Sequence, residues 1–416
     1  MFRIPRIQTL DSFAHRNYRF IWSASFCANT AQWLQLLTLG WIVKELTEGS
    51  ANSAFLIIGV GGAIALPGIF VGPLGGVIGD RLNRRHVVMF LASIMAFSAF
   101  SFAWVYKLGY ANIWFVYGYA FLAGIYESTS MPIRQALVSN AVPQKYLSNA
   151  FTTNVLTIPG TRMLGPFVGG ILASQTGFFW NLNLEAILYL LVVIFIIPMA
   201  TPFAAKDSED RDFKVSGLLG DFIDGFKYLF HQQRVLFKIM LLSFTPNVFC
   251  FPMLFLLPLF TAEILKEGAD FGGYLLASNG LGGLIAIFLF SAFGVPNKRG
   301  LICILSALFA GILTLSLGQV TWMPISFLIV GLFGVCISTF RTSNGVMTQT
   351  LVKDEYRVRT LSFYRFIMSF IVISSFIIGI LTDLTSLEVV LFGMGMLAII
   401  ISSGFLFFSS SVRNQP

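Results

Sequence analysis

Twelve stretches of this chain read as spans of a lipid bilayer, and nothing else in the sequence limits the fold so strongly. Residues 20–43, 53–78, 87–106, 111–131, 148–174 and 178–200 form a first set of six. After a polar stretch at 204–235, residues 237–262, 271–294, 300–318, 322–346, 360–382 and 387–410 form a second six. A spanning helix needs about 20 apolar residues at 1.5 Å rise each, because hydrocarbon offers no hydrogen-bond partner to backbone N–H and C=O groups. Only 11% of residues are charged, against about 25% in an ordinary soluble domain. The expected fold is an all-α membrane protein with 12 transmembrane helices. Residues 1–200 form one six-helix bundle, 201–235 a cytoplasmic linker, and 236–416 a second bundle with a short tail.

Basic residues gather on one membrane face. If the N-terminus is cytoplasmic, the inner connections carry Arg3, Arg6, Arg16, Arg19, Arg81, Arg84, Arg85, Arg134 and Lys145, then Lys298, Arg299, Arg341, Lys353, Arg357, Arg359 and Arg413. The outer connections have only Lys44, Lys107 and Lys266, beside acids such as Glu45, Glu263 and Asp383. The positive-inside rule then puts both termini in the cytoplasm, and the expected location is a bacterial inner membrane. A net charge of +8 dealt out to one membrane face calls for no nucleic-acid partner. The first span lies behind a polar leader and is too long for a cleaved signal, so it is expected to stay. Cys27, Cys250, Cys303 and Cys336 fall in separate apolar spans without CxxC spacing and are expected to pack; no metal or cofactor is expected. With no phosphate-binding loop and no nucleophile beside a base, the chain is not expected to be an enzyme.

The chain also repeats itself. Val142-Pro-Gln-Lys-Tyr146, after the fourth span, has a counterpart in Val352-Lys-Asp-Glu-Tyr356, after the tenth, at an offset of 210 residues. Two parallel, pseudo-symmetric six-helix halves are a transporter architecture, with the substrate between them near the bilayer midplane.

Charge is densest in the connection between spans two and three. Its pattern Gly76-x-x-x-Asp80-Arg81-x-x-Arg84-Arg85 resembles the signature loop of the major facilitator superfamily. That resemblance implies a latch in which Asp80 holds the halves together on the cytoplasmic side, through charge-assisted bonds to arginines and a helix N-terminus. Asn83 stands where the superfamily usually has glycine, and asparagine also accepts a left-handed backbone. In span five, Gly165-Pro166-x-x-Gly169-Gly170 resembles the antiporter motif of superfamily exporters, with Thr157 and Thr161 in place of the earlier glycines. Glycines at this spacing allow close packing, and the proline bends the span.

Across nearly the full chain the sequence is similar to the drug and siderophore exporter branch of the superfamily, which includes macrolide and enterobactin exporters. Gln32-Trp33, Trp41 to Thr47, Pro132 to Val138 and Asn149-Ala150 carry the likeness in the first half. Leu257-Pro258-Leu259 and Gly272-Gly273-Tyr274-Leu275 carry it in the second. Two departures concern coupling: Ala120 stands near the usual arginine of span four, and Asn29 and Gln32 replace an acid common in span one.

Ionisable groups inside the membrane cost about 2.5–3.5 kcal/mol each and are candidates for coupling or substrate contact. They are Glu127 in span four, Arg162 in the middle of span five, Glu185 in span six and Arg365 near the cytoplasmic mouth of span eleven. Arg162 and Glu185, on adjacent antiparallel spans, either pair with each other or leave Arg162 facing a central cavity. Glu127 either carries a proton or snorkels near the interface beside Arg134, seven residues on. Three prolines in span seven, Pro246, Pro252 and Pro258, predict an interrupted helix. Gly280, Gly282 and Gly283 next door predict close packing. The 44 phenylalanines either line a cavity for apolar cargo or face lipid.

The expected protein is a monomeric secondary transporter, a proton-driven exporter of an amphipathic small molecule by alternating access. Import, lysolipid movement between leaflets, or a scaffold or sensor that lost transport remain as alternatives.

Overall fold

The computed structural model of the chain describes residues 8–71, 82–202, 230, 233–293, 298–352 and 357–415, with the backbone alone for 8–10, 291, 293, 349 and 357–366. Among the described residues there is no strand. The long helical elements are α1 (Arg16–Leu46), α2 (Ser53–Phe70), α3 (Arg84–Lys107), α4 (Ile113–Ala141), α5 (Gln144–Thr176) and α6 (Phe178–Ile196). Then follow α7 (Arg234–Ile264), α8 (Ala269–Phe293), α9 (Arg299–Leu317), α10 (Met323–Leu351), α11 (Arg357–Leu384) and α12 (Leu387–Phe408). Ten of them are long and apolar enough to span a membrane. The other two, α1 and α4, are 31 and 29 residues long but carry polar side chains that turn inward. Many phenylalanines cover the outside of the bundle, among them Phe90, Phe97, Phe288 and Phe408. Among the described residues, Phe251 and Phe255 line the interior cavity.

Helix α7 is interrupted as its prolines predict. Arg234–Leu242 is α-helical, Thr245–Cys250 and Phe260–Ile264 are π-helical turns, and Phe251–Leu256 is a 3-10 turn. Irregular backbone at membrane depth must be covered by protein. Accordingly 78% of α7's apolar window is buried, against 33–50% in the other nine.

The internal repeat extends to whole helices. Helices α4 and α10 are both 29 residues long, and α10 begins and ends 210 positions after α4, at Met323 against Ile113 and Leu351 against Ala141. Gly124 and Gly334, also 210 apart, occupy matching places: a Cβ on the first would strike the Ile64 carbonyl oxygen of α2, and one on the second the Asn279 carbonyl oxygen of α8. The contacts across the two sets of six are reciprocal, because α5 packs on α8 and α11 packs on α2. Of the five-residue repeat itself, Gln144–Tyr146 forms a 3-10 turn, while 353–356 lie outside the described residues.

The cross-contacts are tight toward the face opposite the termini. A Cβ on Gly273 of α8 would sit 2.5 Å from the Pro166 carbonyl oxygen and 2.8 Å from the Gly170 Cα of α5. A Cβ on Gly280 would collide with the backbone at Arg162 and Met163. Gly165 and Gly169 instead face α1, at Thr30, Trp33 and Leu34. The antiporter-like motif therefore presents two faces, one to its own set of helices and one to the other set. Gly273→Val is expected to insert normally yet lower transport at least tenfold, because overpacking at backbone contact costs about 1–3 kcal/mol and each 1.4 kcal/mol is about tenfold in population. Flux measured beside a size-exclusion profile checks it; wild-type flux would show that this closure is not needed in the cycle.

At the start of α3 one expectation is corrected. Asn83 has φ −63°, not a left-handed conformation; its side chain caps the helix by accepting from the N–H groups of Arg85 and His86 at 3.1 and 3.4 Å. The residue replaces glycine by doing different work.

Candidate functional site

The central cavity has a volume of about 390 Å³ and takes its walls from both sets of helices. Helix α1 contributes Asn29, Gln32 and Trp33, α4 contributes Glu127, α5 contributes Arg162, α7 contributes Phe251 and Phe255, and α10 contributes Arg341. Beyond it, toward the face opposite the termini, Leu36, Trp41, Leu254, Leu257 and Pro258 close around a space of only about 10 Å³. That is at the lower limit for one water molecule. The cavity is thus walled off by an apolar plug on that side.

Glu127 and Arg134 form the polar centre of the α1–α4 contact. Arg134 Nη2 lies 3.7 Å from Glu127 Oε2, an ion pair without a hydrogen bond. The other guanidinium nitrogens donate to Asn29 Oδ1 at 3.1 Å, to the Ser25 carbonyl at 3.4 Å and to Ser130 Oγ at 3.1 Å. Asn29 in turn donates to Thr157 Oγ1 of α5 at 3.1 Å. Arg134 is 3% exposed, whereas the Glu127 side chain keeps 21% and reaches the cavity. Counting Arg134 among the loop charges is therefore wrong, because α4 continues to Ala141. Glu127 pairs with Arg134 and opens onto the cavity, and the helix runs 14 residues past it, about 21 Å at 1.5 Å per residue.

Arg162 and Glu185 do not pair. Arg162 turns to the cavity, with its guanidinium carbon 4.6 Å from the centre of the Trp33 ring and Nη1 donating to Asn279 Oδ1 of α8 at 3.3 Å. Glu185 points away into the first bundle, fully buried, and accepts from the Tyr119 hydroxyl at 2.5 Å. Arg341, which charge alone places in an inner connection, lines the cavity, donates from Nε and Nη2 to Asn247 Oδ1 at 3.2 and 3.0 Å, and lies 4.8 Å over the Phe251 ring. Its sequence signal was its position five residues inside the apolar span read as 322–346.

Of the signature loop, Gly76, Asp80 and Arg81 lie outside the described residues, as does the side chain of Arg365. Arg84 opens α3. Arg85 Nη2 donates to the carbonyls of Ile197 at 2.7 Å and Ile196 at 3.4 Å, satisfying the free end of α6.

Comparison with known proteins follows the same lines. The chain matches the family described as transmembrane secretion effectors over residues 7–415. It belongs to that family of major facilitator transporters. These are transporters and not enzymes. The staphyloferrin A transporter of Staphylococcus aureus is 23% identical over 95% of this chain and 97% of its own length. The enterobactin exporter EntS of Shigella flexneri is 22% identical over 41% of each chain, and the multidrug efflux pump PmrA of Streptococcus pneumoniae 24% over 39% of each. The crystal structure of a POT family transporter in complex with 5-aminolevulinic acid superposes with a TM-score of 0.74 at 12% identity, covering 96% of this chain and 97% of that one, a likeness of fold.

Proposed function

We propose that this transporter exports an amphipathic small molecule in exchange for protons, by alternating access of the central cavity. It works as a monomer in a bacterial inner membrane with both termini in the cytoplasm. The observation that carries the reading is the cavity itself. A carboxylate in contact with an arginine, two further arginines and a set of aromatic rings meet in one space between the two sets of helices. Proton exchange needs a carboxyl that both reaches the cargo space and has a partner able to take up its charge, and Glu127 has both. The antiporter-like glycines and the siderophore and drug exporters among the relatives support export over import.

The test is proton flux in proteoliposomes holding the purified protein and a lumenal pH dye, while drugs, siderophores and lysolipids are added in turn. Proton movement triggered by one class of compound is the expected result. Labelled compounds that cross without proton movement would make the protein a uniporter or flippase and overturn the exchange.

A further inference from the structure

Among the described residues, the wall of the cavity carries more basic than acidic side chains. Glu127 is the one acid on its wall among the described residues, and it is already in contact with Arg134 at 3.7 Å. Arg162 and Arg341 add two cations. Arg162 is 3% exposed, its Nε has no hydrogen-bond partner, and no described carboxylate pairs with it. What it does touch is neutral: the Asn279 amide oxygen and the face of Trp33. A guanidinium keeps its charge throughout the physiological range, and a buried charge without a counter-ion is costly. Arg341 comes from the other set of helices and likewise lies on a ring, with an asparagine oxygen accepting from it.

We propose that the cargo is an organic anion, an apolar or aromatic body carrying one or more carboxylates that pair with Arg162 and Arg341 across the cavity. This names the cargo class of the exporter reading and rests on it. The planar fork of a guanidinium matches a carboxylate in a two-point contact. Trp33, Phe251 and Phe255 supply flat apolar surface for the body, and 390 Å³ lies within the usual range of small-molecule sites, about 300–1,000 Å³. Because the two arginines stand on opposite sets of helices, an anion between them also cancels the repulsion that opposes their approach. The contact that selects the cargo thus favours the form in which the halves close on it.

The test uses the full-length protein purified in detergent, titrated with 5-carboxyfluorescein, an aromatic carboxylate, and with rhodamine 6G, a cation of the same ring size. Dye anisotropy reads binding. Carboxyfluorescein is expected to bind at least tenfold more tightly than rhodamine 6G, a comparison that needs no variant. Arg162→Gln and Arg341→Gln are each expected to weaken carboxyfluorescein at least tenfold, with Arg162→Lys weakening it less. Equal or tighter binding of rhodamine 6G, unchanged binding in both glutamine variants, or no binding of either dye overturns the inference. Proton flux driven by rhodamine 6G alone would overturn the anion and leave the exporter standing. Arginine-dependent binding of carboxyfluorescein with no flux from any compound would keep the anion site and remove the exporter.

Discussion

Glu127→Gln is expected to slow proton-driven transport at least tenfold and to flatten its dependence on pH, while cargo binding persists. The substitution keeps the size of the side chain and an oxygen that can still reach Arg134, so it removes the exchangeable proton and little else. Arg134 keeps its bonds to Asn29, Ser25 and Ser130. That matters because deleting one partner of a buried ion pair outright costs about 3–5 kcal/mol, enough to confuse a transport defect with unfolding. Glu185→Gln is the control. Glu185 does not line the cavity, no described cation pairs with it, and an amide there still accepts from Tyr119. Flux at several pH values, on protein of normal size-exclusion profile, separates the two. A wild-type pH profile in Glu127→Gln, with a flat one in Glu185→Gln, would move the proton site from α4 to α6.

The helices were legible in the sequence because lipid enforces their length. Most expected spans end within a few residues of the observed helices. Two helices, α4 and α10, run past their expected inner ends, and for one cause. The spans read as 111–131 and 322–346 continue to Ala141 and Leu351. Their polar ends look like connections, yet Arg134, Asn140 and Thr348 are all buried. Composition cannot tell a solvated arginine from one whose donors are met by Asn29 and a backbone carbonyl more than 100 residues away. The same blindness hid Arg341, whose charge obeys the positive-inside rule while its side chain reaches the cavity. Arg162 is the opposite case, since an arginine in mid-span has no topological use and its two possible places, paired with Glu185 or facing the cavity, can be named from the sequence. Only distance separates them: the loop geometry allowed Glu185 within reach, and the structure turns that carboxylate to Tyr119 instead.

Asp383→Ala is expected to shift the protein by about ten- to a hundredfold toward a form open on the face away from the termini. Helix α2 begins at Ser53, and its N-cap residue, Asn52, makes no side-chain cap. The exposed donors are taken instead by Asp383 at the end of α11: Oδ1 accepts from the Ala54 N–H at 2.8 Å and Oδ2 from the Phe55 N–H at 2.9 Å. A carboxylate on a helix N-terminus gains from both the N–H bonds and the helix dipole. These partners lie 329 and 328 residues apart and belong to different sets of six, so one side chain ties the two sets together. Opening on this face must separate α2 from α11 and break both bonds. Charge-assisted bonds contribute about 1.5–3 kcal/mol, and each 1.4 kcal/mol is about tenfold in population. A cysteine at Phe376, which packs on Gly59 and Gly62 of α2 just below the tie, reports the event. In a background without the four native cysteines, a membrane-impermeant maleimide should label Phe376→Cys at least tenfold faster once Asp383 is alanine. An unchanged rate would mean that the apolar plug and the α5–α8 contact hold this face shut without the carboxylate. Faster labelling would make Asp383 a tie between the two sets of helices, on the face opposite the termini, that the transport cycle has to break.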